Sequence, residues 1–234
     1  MRKRDGETDP DACAWGVAAP PESRLPAALA VLAAVLLYVT LPARLTLGPT
    51  WLLPALELAV LVPLFVAAPR RGHDEPRWHR LAALSLVAAV TLANIASLAL
   101  LVRGLLTGLA RQEGSALLLG AIQIWLTNVL VFALWFWELD RGGPSARCRA
   151  THREPDFLFP QMTSPAAAPP GWAPRFLDYL YVAFTNAAAF SPTDVLPLTR
   201  LAKALMLVQA LASLLTVALV AARAVNILAT LPAG

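Results

Sequence analysis

The sequence predicts an all-α membrane protein with about five transmembrane helices and one short re-entrant, pore-like helix. The first observation behind this prediction is the composition: 58% of the 234 residues are hydrophobic and only 15% are charged. The mean hydropathy is +0.60. A soluble domain carries about 25% charged residues, so this composition favours a chain that lies largely in lipid.

The second observation is a set of long apolar runs. Four of them contain no Asp, Glu, Lys or Arg, and a fifth contains only Glu57. The five runs are Leu25–Ala43, Trp51–Ala68, Leu81–Val102, Ala116–Trp137 and Ala204–Ala222. Crossing a hydrocarbon core of about 30 Å takes about 20 helical residues, and lipid offers no hydrogen-bond partner to an unpaired backbone. Each run is therefore predicted to be a membrane-spanning helix, and a soluble helical bundle is disfavoured.

The third observation is a short apolar run near the C-terminus. Phe176–Phe190 would form about 22 Å of helix, too short to cross a bilayer comfortably. The polar turn Ser191–Asp194 and a full-length apolar run follow it. A short helix, an irregular polar turn and a long helix are typical of a re-entrant segment, whose irregular backbone needs surrounding protein or a water-filled cavity.

These features divide the chain into four parts. Residues 1–24 form a basic tail that is expected to be disordered, and residues 25–137 form a four-helix transmembrane region. Residues 138–175 form a Pro/Arg-rich polar loop, expected to lack regular structure, and residues 176–230 form the pore-like module.

The distribution of basic residues predicts the orientation in the cell membrane. Thirteen Lys and Arg residues lie in the tail, in the loop before Leu81 and in the 138–175 loop, against three on the opposite side: Arg44, Arg103 and Arg111. Basic residues concentrate in cytoplasmic loops, so the N-terminus and the 138–175 loop are predicted to be cytoplasmic. Scattering of these residues over short loops favours a lipid bilayer rather than nucleic acid as the partner.

The C-terminal module resembles the pore module of two-helix potassium-type channels. Asp194, Pro197 and Thr199 stand at the spacing of the Asp, Pro and Thr that follow the filter in those channels. The resemblance implies a homo-oligomer and an inorganic cation as partners. In those channels the re-entrant segment enters from outside, whereas the basic residues here place it on the cytoplasmic side, so either the module is inverted or the rule on basic residues fails for the long 138–175 loop. The candidate residues of the pore-like turn are Thr185, Asn186, Ser191, Thr193 and Asp194. The filter glycines are missing and Pro192 intrudes, so a filter of regularly stacked carbonyls, and with it potassium selectivity, is not expected.

Over residues 25–230 the layout also resembles a family of uncharacterised bacterial integral membrane proteins, known only as a domain of unknown function. The segments that carry this resemblance are Asp156–Pro160, Tyr179–Thr185, Ser191–Val195 and Asn226–Leu228. The resemblance implies the pore-like layout and assigns no activity.

Three polar side chains within the predicted membrane helices are candidate functional residues: Glu57, Asn94 and Asn128. An ionisable group in a membrane helix is costly to bury, so Glu57 is either a protonatable or cation-binding group or a carboxylate that reaches the interface. Asn94 and Asn128 are expected to form hydrogen bonds across the bundle. Asp194 is either a turn or cap former or a group that contacts an ion.

No catalytic pattern, phosphate-binding loop or metal-ligand spacing occurs in the sequence, so neither an enzyme activity nor a cofactor nor a metal site is predicted. The leading hypothesis is an ion-channel-like pore protein with a degenerate filter that does not select potassium. The alternative is a non-conducting membrane scaffold or partner-binding subunit.

Overall fold

The computed structural model describes residues 22–46, 51, 55, 77–106, 114–147, 154–164, 168–169, 172–188 and 194–229. These residues form a helical bundle with one small pair of strands. The α-helices are α1 (Leu25–Val39), α2 (Arg77–Leu106), α3 (Gly114–Leu139), α4 (Pro144–Arg147), α5 (Pro160–Thr163), α6 (Phe176–Ala188) and α7 (Arg200–Ala229). Short 3-10 turns cover Ala43–Leu45 and Asp140–Gly142, and the strands are β1 (Phe157–Leu158) and β2 (Leu196–Pro197).

Three of the helices are long and apolar enough to cross a membrane. The candidate spans are Arg80–Leu105, Ala116–Gly142 and Arg200–Arg223, which lie in α2, α3 and α7. Helix α1 is apolar as well, but its 15 residues reach only about 22 Å. The described residues are therefore compatible with a membrane protein, and they include three candidate spans where the sequence predicts five.

The predicted apolar runs coincide closely with the helices that the structure describes. The runs over Leu81–Val102, Ala116–Trp137 and Ala204–Ala222 lie inside α2, α3 and α7, each of which extends a few residues further at both ends. Of the predicted helix Trp51–Ala68, only Trp51 and Ala55 are described, and the Ala55 amide donates to the Trp51 carbonyl at 3.0 Å. Glu57 lies outside the described residues.

Helix α3 is the central element of the bundle. One buried cluster joins α3 to α1, α2, α6 and α7, and its aromatic centre consists of Phe132, Phe136, Phe157 and Tyr179. A second buried cluster, which includes Leu41, Leu45, Leu101 and Leu117, lies towards the other end of α3. Helix α7 is peripheral and exposes most of its apolar side chains.

The bundle has two distinct ends. We call the end where α3 finishes the Asp140 end. Helix α1 begins there, because the Arg24 guanidinium donates to the Ser145 hydroxyl at 3.0 Å. Helix α2 begins there too, since a Cβ on Gly143 would lie 3.9 Å from Arg80 Nε. The 3-10 turn Ala43–Leu45 packs against Gly120 at the opposite end.

Helices α6 and α7 also both begin at the Asp140 end. The Tyr179 hydroxyl, in the first turn of α6, donates to Asp140, and the Thr199 hydroxyl, just before α7, donates to Asp156, which neighbours Asp140. Further along, Asn186 near the end of α6 bonds to Gln209, which lies in the first half of α7. The chain thus enters the bundle as α6 and is back at the same end when α7 starts.

The expectation of a loop without regular structure is wrong for parts of residues 138–175. This region contains the turn Asp140–Gly142, the short helices α4 and α5, and strand β1. Strand β1 pairs antiparallel with β2, with Phe157 opposite Pro197 and Leu158 opposite Leu196. The order arises from contacts with distant residues, which the loop's own composition does not reveal.

Candidate functional site

The polar residues at the Asp140 end are organised by a sharp turn directly after α3. Arg141 has a φ of 52° and a ψ of 27°, a left-handed conformation that few non-glycine residues adopt. Gly142 and Gly143 follow with φ values of 85° and 96°, which glycine adopts at no steric cost. Three successive positive φ values fold the chain back so that α4 lies against the end of α3.

Asp140 is the centre of this region, and its side chain is fully buried. One carboxylate oxygen, Oδ1, accepts hydrogen bonds from the backbone amides of Asp156 and Phe157 at 2.8 and 3.4 Å. The other, Oδ2, accepts from the Tyr179 hydroxyl at 2.6 Å and from Arg141 Nε at 3.3 Å. Four donors match the four acceptor positions of a carboxylate, which offsets the cost of burying its charge.

Asp156 forms further hydrogen bonds to the same turn. Its Oδ2 accepts from the backbone amide of Arg141 at 3.0 Å, which stabilises the left-handed conformation there. Its Oδ1 accepts from the Thr199 hydroxyl at 2.8 Å, and Thr199 Oγ1 in turn accepts from the Ala202 amide at the N-terminus of α7. A continuous set of hydrogen bonds therefore links the starts of α6 and α7 through the two aspartates.

Arg147 closes the C-terminal end of α3. Its Nη1 donates to the carbonyl oxygens of Trp137 and Asp140 at 2.7 and 3.0 Å, and helix C-terminal carbonyls otherwise lack partners. Its Nη2 lies 3.5 Å from Glu22 Oε2, and its guanidinium carbon lies 5.1 Å from the centre of the Tyr179 ring. We refer to Glu22, Asp140, Arg141, Arg147, Asp156 and Tyr179 together as the Asp140 cluster.

Tyr179 acts in this cluster as a hydrogen-bond donor. Burial raises the pKa of its hydroxyl well above the ordinary value, and although Arg147 opposes the shift, the Asp140 carboxylate adds to it. The phenol therefore stays protonated at physiological pH. The hydroxyl therefore keeps its hydrogen bond to Asp140, and the cluster provides a fixed polar anchor for the first turn of α6.

A second polar group, the Gln209 network, lies deeper in the bundle and consists of Asn128, Asn186, Gln209 and Ser213. Asn128 Nδ2 donates to the Gln209 carbonyl at 3.2 Å and to Ser213 Oγ at 2.9 Å. Asn186 Nδ2 donates to Gln209 Oε1 at 2.8 Å, and Gln209 Nε2 donates to the Ala183 carbonyl at 2.8 Å. Hydrogen bonds of this kind hold membrane helices together, and here they join α3, α6 and α7.

The candidate residues of the pore-like turn fall into three groups. Thr185 Oγ1 bonds to the carbonyls of Tyr181 and Val182 in its own helix, and Asn186 belongs to the Gln209 network. Asp194 is exposed and lies just before the buried Val195. Ser191 and Thr193 lie outside the described residues.

Two of the intramembrane candidates are described. Asn128 makes the hydrogen bonds across the bundle that its position in the sequence suggests. Asn94 is 7% exposed on α2. Among the described residues, no group of three or more His, Cys, Asp or Glu side chains is placed to hold a metal ion.

Sequence reasoning did not identify the Asp140 cluster as a site. The available indication was local: Glu138–Gly143 places two acids, an arginine and two glycines directly after an apolar span. Comparison of the chain with protein-family models, curated proteins and solved structures finds no match.

Proposed function

We propose that this chain is a polytopic protein of the cell membrane with five crossings and with the Asp140 end in the cytoplasm. The candidate spans in α2, α3 and α7 support the membrane location. Thr46 and Arg77 flank the predicted Trp51–Ala68 crossing, and the turn before Thr46 and the start of α2 lie at opposite ends of the bundle. Among the described basic residues, Arg24, Arg141 and Arg147 group at the Asp140 end, the pattern of a cytoplasmic face.

Labelling of single cysteines tests this topology. After Cys13 and Cys148 are replaced by serine, Glu154→Cys places a thiol at an exposed position of the 138–175 loop, and Arg44→Cys places one at an exposed position near the opposite end. In intact cells we expect an impermeant maleimide to label Arg44→Cys and to label Glu154→Cys only after permeabilisation. Labelling of Glu154→Cys from outside would reverse the orientation.

Within this topology we propose that α6 is a re-entrant helix and that the module from α6 to α7 forms a cation pore in a homo-oligomer. The observation that carries this proposal is that α6 and α7 begin at the same end of the bundle. Thirteen residues extend about 20 Å into the bundle, less than the thickness of the hydrocarbon core. In the two-helix channels that the sequence resembles, a short helix likewise enters from one side, the chain returns to that side, and a long helix begins there.

Asp194 is the described residue best placed to act on ions in such a pore. Its side chain is exposed, and it lies two residues before β2, whose pairing with β1 places it near the Asp140 end. Repeated around an oligomer axis, this carboxylate would form an acidic ring, and such rings attract cations without distinguishing closely similar ones. The missing filter glycines and Pro192 argue against potassium selectivity.

Flux measurements in liposomes test the pore. We expect similar potassium and sodium flux in the wild type, and about tenfold lower flux in Asp194→Asn at low ionic strength, because a charged constriction concentrates counter-ions. Salt screens this attraction, so the difference should shrink in high salt. The matched control is Glu154→Gln, which neutralises an exposed acid outside the module. Strong potassium preference, or equal flux in wild type and Asp194→Asn, would contradict the proposal.

The second candidate is a non-conducting membrane scaffold, and a specific observation favours it. The polar side chains of Thr185, Asn186 and Asn128 all form hydrogen bonds within the bundle, so they serve packing rather than an ion path. Under this alternative the module keeps a channel-like layout only as a rigid support. Absence of cation flux from well-folded, reconstituted protein would select it.

A further inference from the structure

Glu22 joins two parts of the chain that lie 154 positions apart. Its Oε1 accepts a hydrogen bond from the backbone amide of Phe176, the first residue of α6, at 2.6 Å. Its Oε2 accepts from the Trp137 indole nitrogen at 2.9 Å and lies 3.5 Å from Arg147 Nη2. One carboxylate thus contacts the start of α6, the last turn of α3 and the arginine that closes α3.

The first turn of α6 requires hydrogen-bond acceptors from outside the helix. The first amides of a helix have no intrahelical partner, and a negative charge at a helix N-terminus is stabilising. A helix of 13 residues is marginal by itself, so it depends on anchors outside its own backbone. Asp178 accepts from the Arg175 amide at 2.7 Å within the same segment, whereas Glu22 accepts from the backbone of the first turn of α6 and comes from a distant part of the chain.

We propose that Glu22 is a positioning residue for α6 that couples the start of α1 to the re-entrant module. Glu22 precedes the first residue of α1 by three positions, so a displacement of α1 at the Asp140 end draws the carboxylate away from Phe176 and Trp137 together. Because these contacts hold the start of α6 in place, the position of α6 depends on the position of α1. This inference rests on the proposed re-entrant module, but its test does not need the module to conduct.

The Trp137 side chain contacts the same groups that Glu22 joins. Its ring packs edge-on against the Phe176 ring, with centroids 6.0 Å apart, and the Arg147 guanidinium lies 5.9 Å from its centroid. Loss of the carboxylate therefore removes the acceptor for the Trp137 indole and for the Phe176 amide in one step. It also leaves Arg147 without its acidic partner, while the bonds of Arg147 to the α3 carbonyls remain.

Hydrogen–deuterium exchange of the full-length protein in nanodiscs tests the coupling. The variants are Glu22→Ala and Glu22→Gln, with Glu154→Gln as the matched control at an exposed acid. In peptides that contain Phe176–Tyr179 we expect exchange about tenfold faster in Glu22→Ala, because a hydrogen bond to a charged acceptor is lost. Glu22→Gln, which keeps one carbonyl acceptor, should fall between Glu22→Ala and the wild type.

Two further readouts separate a local coupling from general unfolding. Peptides within Ala202–Thr216 of α7 should exchange as in the wild type, and the emission of Trp137, isolated by difference against Trp137→Phe, should shift in both Glu22 variants. Unchanged exchange at Phe176–Tyr179 in Glu22→Ala would overturn the proposal, as would faster exchange of equal size in α7. Altered exchange in a protein without cation flux would preserve the coupling and reject only the pore.

Discussion

Replacement of Asp140 by alanine is expected to lower the free energy of unfolding by about 3–5 kcal/mol, the range for removing one partner of a buried charged group. The change deprives the Tyr179 hydroxyl and the amides of Asp156 and Phe157 of their acceptor. It also leaves the Arg141 guanidinium without the carboxylate that faces it at 3.3 Å. Reversible unfolding by SDS titration in mixed micelles measures the effect.

The matched control is Asp194→Ala, which removes the same side chain from an exposed position. Surface substitutions of this kind usually change stability by about 0.5 kcal/mol or less. Asp140→Asn should lower the free energy of unfolding less than Asp140→Ala, because the amide oxygen still accepts hydrogen bonds. Some loss should remain, because the NH2 group would face other donors. A loss below about 1 kcal/mol for Asp140→Ala would show that the Asp140 cluster contributes little to the fold.

Replacement of Gly143 by alanine is expected to cost about 2–3 kcal/mol. Gly143 combines a φ of 96° with a ψ of 173°, a region that residues with a Cβ rarely occupy and that costs of order 1–3 kcal/mol. The added Cβ would also lie 3.1 Å from the Glu138 carbonyl oxygen and 3.3 Å from Glu138 Oε2. The carbonyl belongs to the backbone of α3 and yields little, so the turn that supports Asp140 would be strained.

Gly104→Ala provides the control for this prediction. Gly104 lies inside α2, and a Cβ there would meet nothing within 4 Å. Alanine is favoured over glycine inside a helix by about 1 kcal/mol, so this variant should be neutral or slightly more stable than the wild type. Equal unfolding midpoints for Gly143→Ala and Gly104→Ala would contradict the strained-turn interpretation.

The apolar helices were predictable because their cause is local. A run such as Ala116–Trp137 carries no charged residue over its whole length, and a lipid environment leaves no other conformation for such a run. The short length of Phe176–Ala188 is equally a property of its own residues. The boundaries shifted by a few residues because polar residues such as Arg77 and Arg200 continue the helix beyond the apolar run.

The sequence by itself determined the long apolar runs that are compatible with a membrane protein, the positions of α2, α3, α6 and α7, and the segregation of basic residues, since each is a property of contiguous residues. Only the tertiary structure decided which polar residues matter. Tyr179 and Asp140 are 39 positions apart, Asn128 and Gln209 are 81 apart, and Glu22 and Phe176 are 154 apart. A buried polar group needs a partner, and the choice of partner depends on which helices pack together, which no local pattern encodes.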